Sequence, residues 1–311
     1  MNKFKGFLFG MTASSTFGLL PLFTLPIMSE GLTTNSILCY RMLFASVLVA
    51  VLMQVRKITF RTNLRELLWF AFLGFFYYGS ASLLFQAYGT MSSGMATTLH
   101  FLYPVGVTLI MALVFKQRPS PFTILAIILG LSGVALLSLK EGGGSSSASL
   151  VGILLVLLSG LSYAAYLVTM NNVRRVRESN NLKLTLYVLI FSALFFLLDT
   201  SLSGGLQMIP SGRALTNLLL LAFLPTLVSN LALVRAVKSI GSTLTSVLGA
   251  MEPLTAIVIG VVVFGEEVTG SMALGILLIL LSVTIIVLSP LLDKNIADRL
   301  RRLSKRPIRR Q

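Results

Sequence analysis

The chain has 311 residues, 55% of them hydrophobic and only 11% charged. Soluble domains carry about a quarter charged residues, so this composition is far from that of a soluble domain and leaves no room for a separate one, and apolar runs that are continuous rather than alternating favour helices over a β-barrel. A net charge of +15 would suggest nucleic acid in a soluble chain, but here its distribution points to a membrane.

A hydrocarbon core of roughly 30 Å needs about 20 apolar residues per crossing helix. Ten stretches meet this: 6–28, 34–54, 66–86, 94–115, 121–139, 150–170, 184–202, 214–234, 242–264 and 270–291. Lys3 and Lys5 before the first stretch resemble a secretory signal. The run continues to Met28, too long for a signal's apolar segment, so it reads as a retained helix. Lys140–Ser149 (KEGGGSSSAS) is a flexible linker by composition. It divides the chain into five-helix units at 1–141 and 150–292, with 142–149 as linker and 293–311 as a basic tail.

The two units correspond in sequence. Shifted by 149 positions without gaps, Phe85–Ser138 lies over Val234–Val287, so that Ser93 meets Ser242, Leu99 meets Leu248 and Pro104 meets Pro253. Repeats with an odd number of helices enter the bilayer in opposite directions, an architecture common in secondary transporters. The predicted fold is therefore an all-α integral membrane protein of ten transmembrane helices in two inverted-topology five-helix repeats.

Charge sets the orientation. With the N-terminus inside, inner segments hold 22 of the 25 basic residues, and outer segments hold only Lys140 and Arg213. That bias predicts both termini in the cytoplasm of a cell inner-membrane protein. The tail RLRRLSKRPIRR anchors the last helix by the same logic, or binds anionic membrane lipids at about 1 kcal/mol per basic residue.

The stretch Ala87–Pro104, AYGTMSSGMATTLHFLYP, resembles the helix-three-to-four signature of EamA-type transporters in the drug/metabolite transporter superfamily. Gly265-Glu266-Glu267 after Phe264 resembles the end of that family's second repeat, and Arg41 in YRMLFAS resembles its helix-two arginine. The first repeat departs from the pattern, with Lys116-Gln117-Arg118 where the second has Gly-Glu-Glu. The resemblance implies metabolite transport, commonly export of amino acids or related small solutes.

Ionisable groups inside the membrane cost about 2.5–3.5 kcal/mol at a helix centre, and three lie well inside the proposed spans: Arg41, His100 and Glu252. Glu252 is roughly 15 Å along the ninth helix at about 1.5 Å per residue, next to the kink-forming Pro253. It can carry a proton or bind a substrate amine, or pair structurally with Arg41 or a serine. His100 sits in the matching turn, with Tyr103-Pro104 opposite Glu252-Pro253; it can couple proton movement or simply bond a neighbouring helix. Arg41 can clamp a substrate carboxylate or snorkel and pair structurally. Tyr78, Tyr163 and Asn230 supply candidate contacts for a wet central cavity, although tyrosines also populate interfacial belts. Kinks at Pro104 and Pro253 mark where a substrate would sit.

Small residues at Ala126, Gly130 and Gly133 match Gly275, Ile279 and Ser282, which assigns helices five and ten to scaffolding or to a homodimer contact. One histidine and one cysteine, Cys39, offer neither a metal-ligand cluster nor an internal disulfide, and no cofactor is expected. There is no G-x-x-x-x-G-K-[ST] phosphate loop, so a transporter would draw on a gradient. The alternatives are an integral-membrane lipid-modifying enzyme, disfavoured by scattered carboxylates, and a channel-like uniporter.

Overall fold

The computed structural model describes residues 3–87, 90, 96, 99–117, 119–138, 150–264, 270, 273–285 and 288. Regular structure among them is helical throughout. The elements are α1 (Lys3–Phe17), α2 (Leu20–Ser29), α3 (Thr34–Val55), α4 (Leu64–Ala87), α5 (Tyr103–Leu113), α6 (Pro121–Ser138) and α7 (Leu150–Asn172). There follow α8 (Arg174–Glu178), α9 (Asn181–Leu202), α10 (Gly212–Leu221), a π-helical segment at Ala222–Val228, α11 (Ser229–Ile240), α12 (Ser242–Leu248), α13 (Met251–Phe264) and α14 (Ala273–Ile285).

Among the described residues, six helical stretches are long and apolar enough to cross a membrane: Lys3–Ser29, Thr34–Val55, Leu64–Ala87, Leu150–Asn172, Asn181–Leu202 and Gly212–Ile240. The other apolar helices are shorter, among them Tyr103–Leu113, Pro121–Leu136 and Ala273–Ile285. The difference from the uninterrupted stretches expected from hydropathy has a backbone cause. Hydropathy measures side chains, whereas Pro removes a main-chain donor and restricts the residue before it.

Each interruption has a local chemistry. Between α1 and α2 the turn at Gly18–Leu19 precedes Pro21, which has no N–H to offer the Phe17 carbonyl. The expected ninth helix divides at Gly249–Ala250 into α12 and α13, and the expected fourth has a turn at Phe101–Leu102 before α5. The π-helical segment contains Pro225, which leaves the Leu221 carbonyl without its α-helical donor. The π turn brings the Thr226 N–H to Leu221 O instead, and Thr226 Oγ1 donates to the same oxygen at 2.8 Å.

The distribution of side chains is that of a membrane protein. Apolar residues face outward along the long helices, for example Val51, Leu68, Leu154 and Leu198, all more than half exposed. Polar side chains are buried within: Arg41, Ser159, Ser192, Thr226 and Asn230. Without water to drive association, helices in lipid join through close packing and hydrogen bonds between neighbours. Ser192 Oγ of α9 donates to Gly74 O of α4 at 3.0 Å, and Ser229 Oγ of α11 donates to Ala13 O of α1 at 2.8 Å. α4 packs on α7 and α9, α1 packs on α11, and α5 packs on α7 and α12.

α6 and α14 join through their small faces. Ser282 Oγ donates to Ala126 O at 2.6 Å, and a Cβ on Gly133 would come within 2.8 Å of Gly275 O. That face is thus occupied within the chain, and a homodimer would need another surface. The linker, the basic tail, Gly265-Glu266-Glu267 and most of the 88–98 stretch lie outside the described residues.

Candidate functional site

The interruptions converge. Gly18, at the α1–α2 turn, lies against the start of α13: a Cβ there would come within 2.5 Å of Glu252 O and 2.8 Å of Thr255 Cβ. Gly249, at the α12–α13 turn, lies against Tyr103 at the start of α5, whose hydroxyl occupies the place a Cβ would take. Only glycine permits these approaches. They bring the first turns of α5 and α13, carrying Pro104 and position 253, to the same region. The Pro253 side chain lies outside those described.

Between these turns is a tight cavity whose water-accessible volume is about 20 Å³, room for about one water in this conformation. α1 contributes Ala13, Ser14 and Phe17, and α4, α5 and α7 contribute Tyr77, Tyr103 and Tyr163. α11 contributes Ser229 and Asn230, while Thr245 of α12 and Glu252 of α13 complete the polar wall. The tyrosines form a ring system: Tyr103 meets Tyr163 edge-on at 4.8 Å, and Tyr166 lies 6.0 Å from Tyr163 and 5.4 Å from Tyr77. Such contacts are worth about 0.5–1.5 kcal/mol each beyond burial, and they make one wall stiff and amphipathic. Asn230 donates from Nδ2 to Thr226 O at 2.8 Å and to Tyr77 Oη at 3.2 Å.

Four of the residues expected from sequence therefore share this cavity: Glu252, Tyr103, Tyr163 and Asn230. Arg41 stands behind it. Its guanidinium is 5.2 Å from the centroid of Phe17, and Nε donates to Thr226 Oγ1 at 2.6 Å. It is fully buried, with Nη2 lacking a partner. Arg41 and Glu252 interact electrostatically through the wall, but the described ion pairs are Arg174–Glu178 and Lys183–Glu66, not these two.

His100 also stands behind the wall, its ring 5.7 Å from Tyr103. Nδ1 lies 3.1 Å from Ser159 Oγ, and Ser159 Oγ lies 2.5 Å from Ser80 O. A carbonyl only accepts and a hydroxyl has one proton, so Ser159 donates to Ser80 and accepts from His100. The imidazole therefore carries its proton on Nδ1 in this arrangement.

Tyr78 does not reach the cavity. It packs against Phe195 and Phe196 of α9, with ring centroids at 5.7 and 4.8 Å. Its neighbour Tyr77 takes the inner position, since consecutive helical residues point about 100° apart. The periodicity carries the signal: Phe70, Leu73, Tyr77 and Ser80 of α4 are buried at three- and four-residue steps, which places Tyr77 on the inner face and Tyr78 off it. Ser229 and Thr245 have no comparable signal, because isolated hydroxyl residues occur throughout the apolar stretches.

The EamA-like transporter family model matches residues 4–139 and again 150–288. An uncharacterized transporter of Synechocystis sp. is 26% identical over 239 residues, covering 74% of this chain and 71% of that one. A protein of known crystal structure shares the fold with a TM-score of 0.79 at 20% identity, over 94% of this chain and 98% of that chain. The cavity draws Ser14, Tyr77 and Tyr103 from the first matched segment and Tyr163, Asn230 and Glu252 from the second. With the family match spanning nearly the whole sequence and the fold apolar outside and polar within, this chain is a multi-pass membrane protein belonging to the EamA-like transporter family.

Proposed function

We propose that the chain is a secondary transporter that moves small metabolites by alternating access, with the cavity at Glu252 as its solute site. The carrying observation is the position of that cavity: its polar wall is assembled from both family-matched segments, at the turns where helices are interrupted. Transporters built from repeats bind solute where interrupted helices meet at the repeat interface. In this reading the two units are inverted five-helix repeats, the ten sequence stretches are ten crossings, and both termini lie in the cytoplasm beneath the inner membrane. Export of amino acids or related solutes is the direction and class that the family resemblance favours. Coupling runs through a solute or proton gradient, with Glu252 as the group that exchanges a proton or a solute cation.

Rocking one repeat against the other opens the cavity alternately to each side. Gly18 is the contact over which the first turn of α13 slides, because no side chain of its own holds the two backbones apart, while Gly249 leaves room for the Tyr103 hydroxyl of α5 to move against the α12–α13 turn.

The test is flux in proteoliposomes. Purified protein is reconstituted and challenged with labelled amino acids and related metabolites, with and without a pH gradient. Saturable uptake of one class that Glu252→Gln reduces supports the proposal. Folded protein that moves none of the panel, or whose Glu252→Gln variant transports at the wild-type rate, contradicts it.

A further inference from the structure

The side chains of the cavity with fixed hydrogen-bonding roles are all acceptors. Asn230 has two amide protons, and both are committed, to Thr226 O at 2.8 Å and to Tyr77 Oη at 3.2 Å. A carbonyl only accepts, so Thr226 fixes the orientation of the amide, and Oδ1 is what Asn230 offers a guest. Ser229 commits its proton to Ala13 O at 2.8 Å, and Thr245 commits its own to Gly241 O at 2.7 Å. Each keeps only lone pairs. An ionised Glu252 adds an acceptor with charge.

The cavity's other hydroxyls, on Ser14 and the tyrosines, serve either role. Among the described residues, no lining side chain is a lysine, arginine, histidine or tryptophan. The nearest guanidinium, Arg41, donates instead to Thr226 and lies over Phe17.

We infer that this cavity selects a solute by its ammonium group, and that Asn230 sets the selectivity by holding its carbonyl oxygen toward the guest. The inference rests on the reading of this cavity as the solute site. An ammonium brings up to three N–H donors to Asn230 Oδ1, Ser229 Oγ, Thr245 Oγ1 and Glu252, with the faces of Tyr103 and Tyr163 to hold the charge. A carboxylate in the same place meets fixed lone pairs and, whenever Glu252 is ionised, a like charge. Turning the Asn230 amide to receive it would face Oδ1 toward the Thr226 carbonyl and strand a buried acceptor.

The test reads binding without transport. Glu252 in the purified full chain is labelled by a hydrophobic carbodiimide kept in excess over its reaction with free acid. All modified forms of the Glu252 peptide, the acylurea and the amide formed by capture of an amine, are summed by mass spectrometry. Methylammonium, butylammonium and cyclohexylammonium are compared as protectants with acetate, butyrate and cyclohexanecarboxylate. At least one ammonium is expected to slow labelling about tenfold more than its matched acid, the size of one charge-assisted hydrogen bond.

Thr245→Val keeps the side-chain shape, removes one acceptor and should weaken that protection severalfold. Asn230→Leu should abolish the preference. Equal protection by acids and ammonium ions, no protection by either, or unchanged selectivity in Thr245→Val overturns the inference. Ammonium protection in a protein that carries no flux would uphold the site and sink the transport reading; acid protection with intact flux would do the reverse.

Discussion

Gly18 and Glu252 touch through backbone: a Cβ on Gly18 would come within 2.5 Å of the Glu252 carbonyl oxygen. The break between α1 and α2 therefore bears directly on the first turn of α13. Gly18→Ala forces that turn outward, and the cost of overpacking is about 1–3 kcal/mol. Thermal unfolding of the detergent-solubilised variant should show a lowered midpoint, and flux should fall further than stability. An alanine variant with both properties unchanged would mean the contact is slack.

Arg41 and Glu252 are separated by the cavity wall, and Arg41 is hydrogen-bonded to Thr226. Exchanging the two charges should therefore fail to rescue either single variant, because each inverted group would leave its own partners. Rescue by the Arg41→Glu, Glu252→Arg double variant would reveal a direct pair.

Thr226 is held by two relationships at once, accepting from Arg41 and donating to the Leu221 carbonyl released by Pro225. Thr226→Val preserves shape but strands the Arg41 Nε donor, at about 1–3 kcal/mol for a buried group left unpaired, and leaves Leu221 O with only the backbone donor of the π turn. The expected readout is a clear loss of thermal stability. Pro225→Ala restores a backbone donor to Leu221 and should soften the effect of Thr226→Val. Additive effects in the double variant would contradict the linkage.

His100 is tied to Ser159 through its Nδ1 proton and does not line the cavity. An asparagine amide can supply the same donor, so His100→Asn should keep flux within about threefold, under 1 kcal/mol. His100→Leu should not, since Ser159 then loses its donor. Abolished proton coupling in His100→Asn with intact protein would return His100 to the transport chemistry.

Tyr77 and Tyr78 separate the inner from the outer face of α4. Tyr77→Phe removes the acceptor that receives Asn230 Nδ2 and should lower apparent solute affinity about tenfold, the range of one hydrogen bond to a positioned group. Tyr78→Phe should leave affinity unchanged, and concentration dependence of uptake distinguishes the two.

Much of this arrangement is legible in the amino-acid sequence. Charged residues inside apolar runs stand out by their desolvation cost, and Glu252 lies on the cavity as that cost suggests. The same cost does not say which side of a helix the group faces. Arg41 and His100 are equally improbable in lipid, yet both stand one aromatic layer behind the cavity, on partners that only tertiary packing supplies: Thr226, Phe17 and Ser159.

Hydropathy locates where the chain is apolar but not where its backbone breaks. Pro21, Pro104 and Pro253 mark the three turns by their chemistry, while the close approaches of Gly18 and Gly249 rest on contacts with Glu252 and Tyr103, distant in sequence. Tyr77 is recoverable from the period of α4. Thr226 is not, because its role depends on a proline one residue before it and an arginine 185 residues away.

Alternating access requires that one cavity, lined by both halves of the chain, face each side of the membrane in turn. Cys39 is the sole cysteine, so a Cys39→Ser background makes a single introduced thiol readable. Ser229→Cys, close in shape to the residue it replaces, places that thiol on the cavity wall. Membrane-impermeant thiol reagents are then applied separately from outside and inside to oriented vesicles. Labelling from both faces is expected, slowed from both by the same solute. Labelling from one face only, or from neither in protein that still carries flux, would show that this cavity does not alternate.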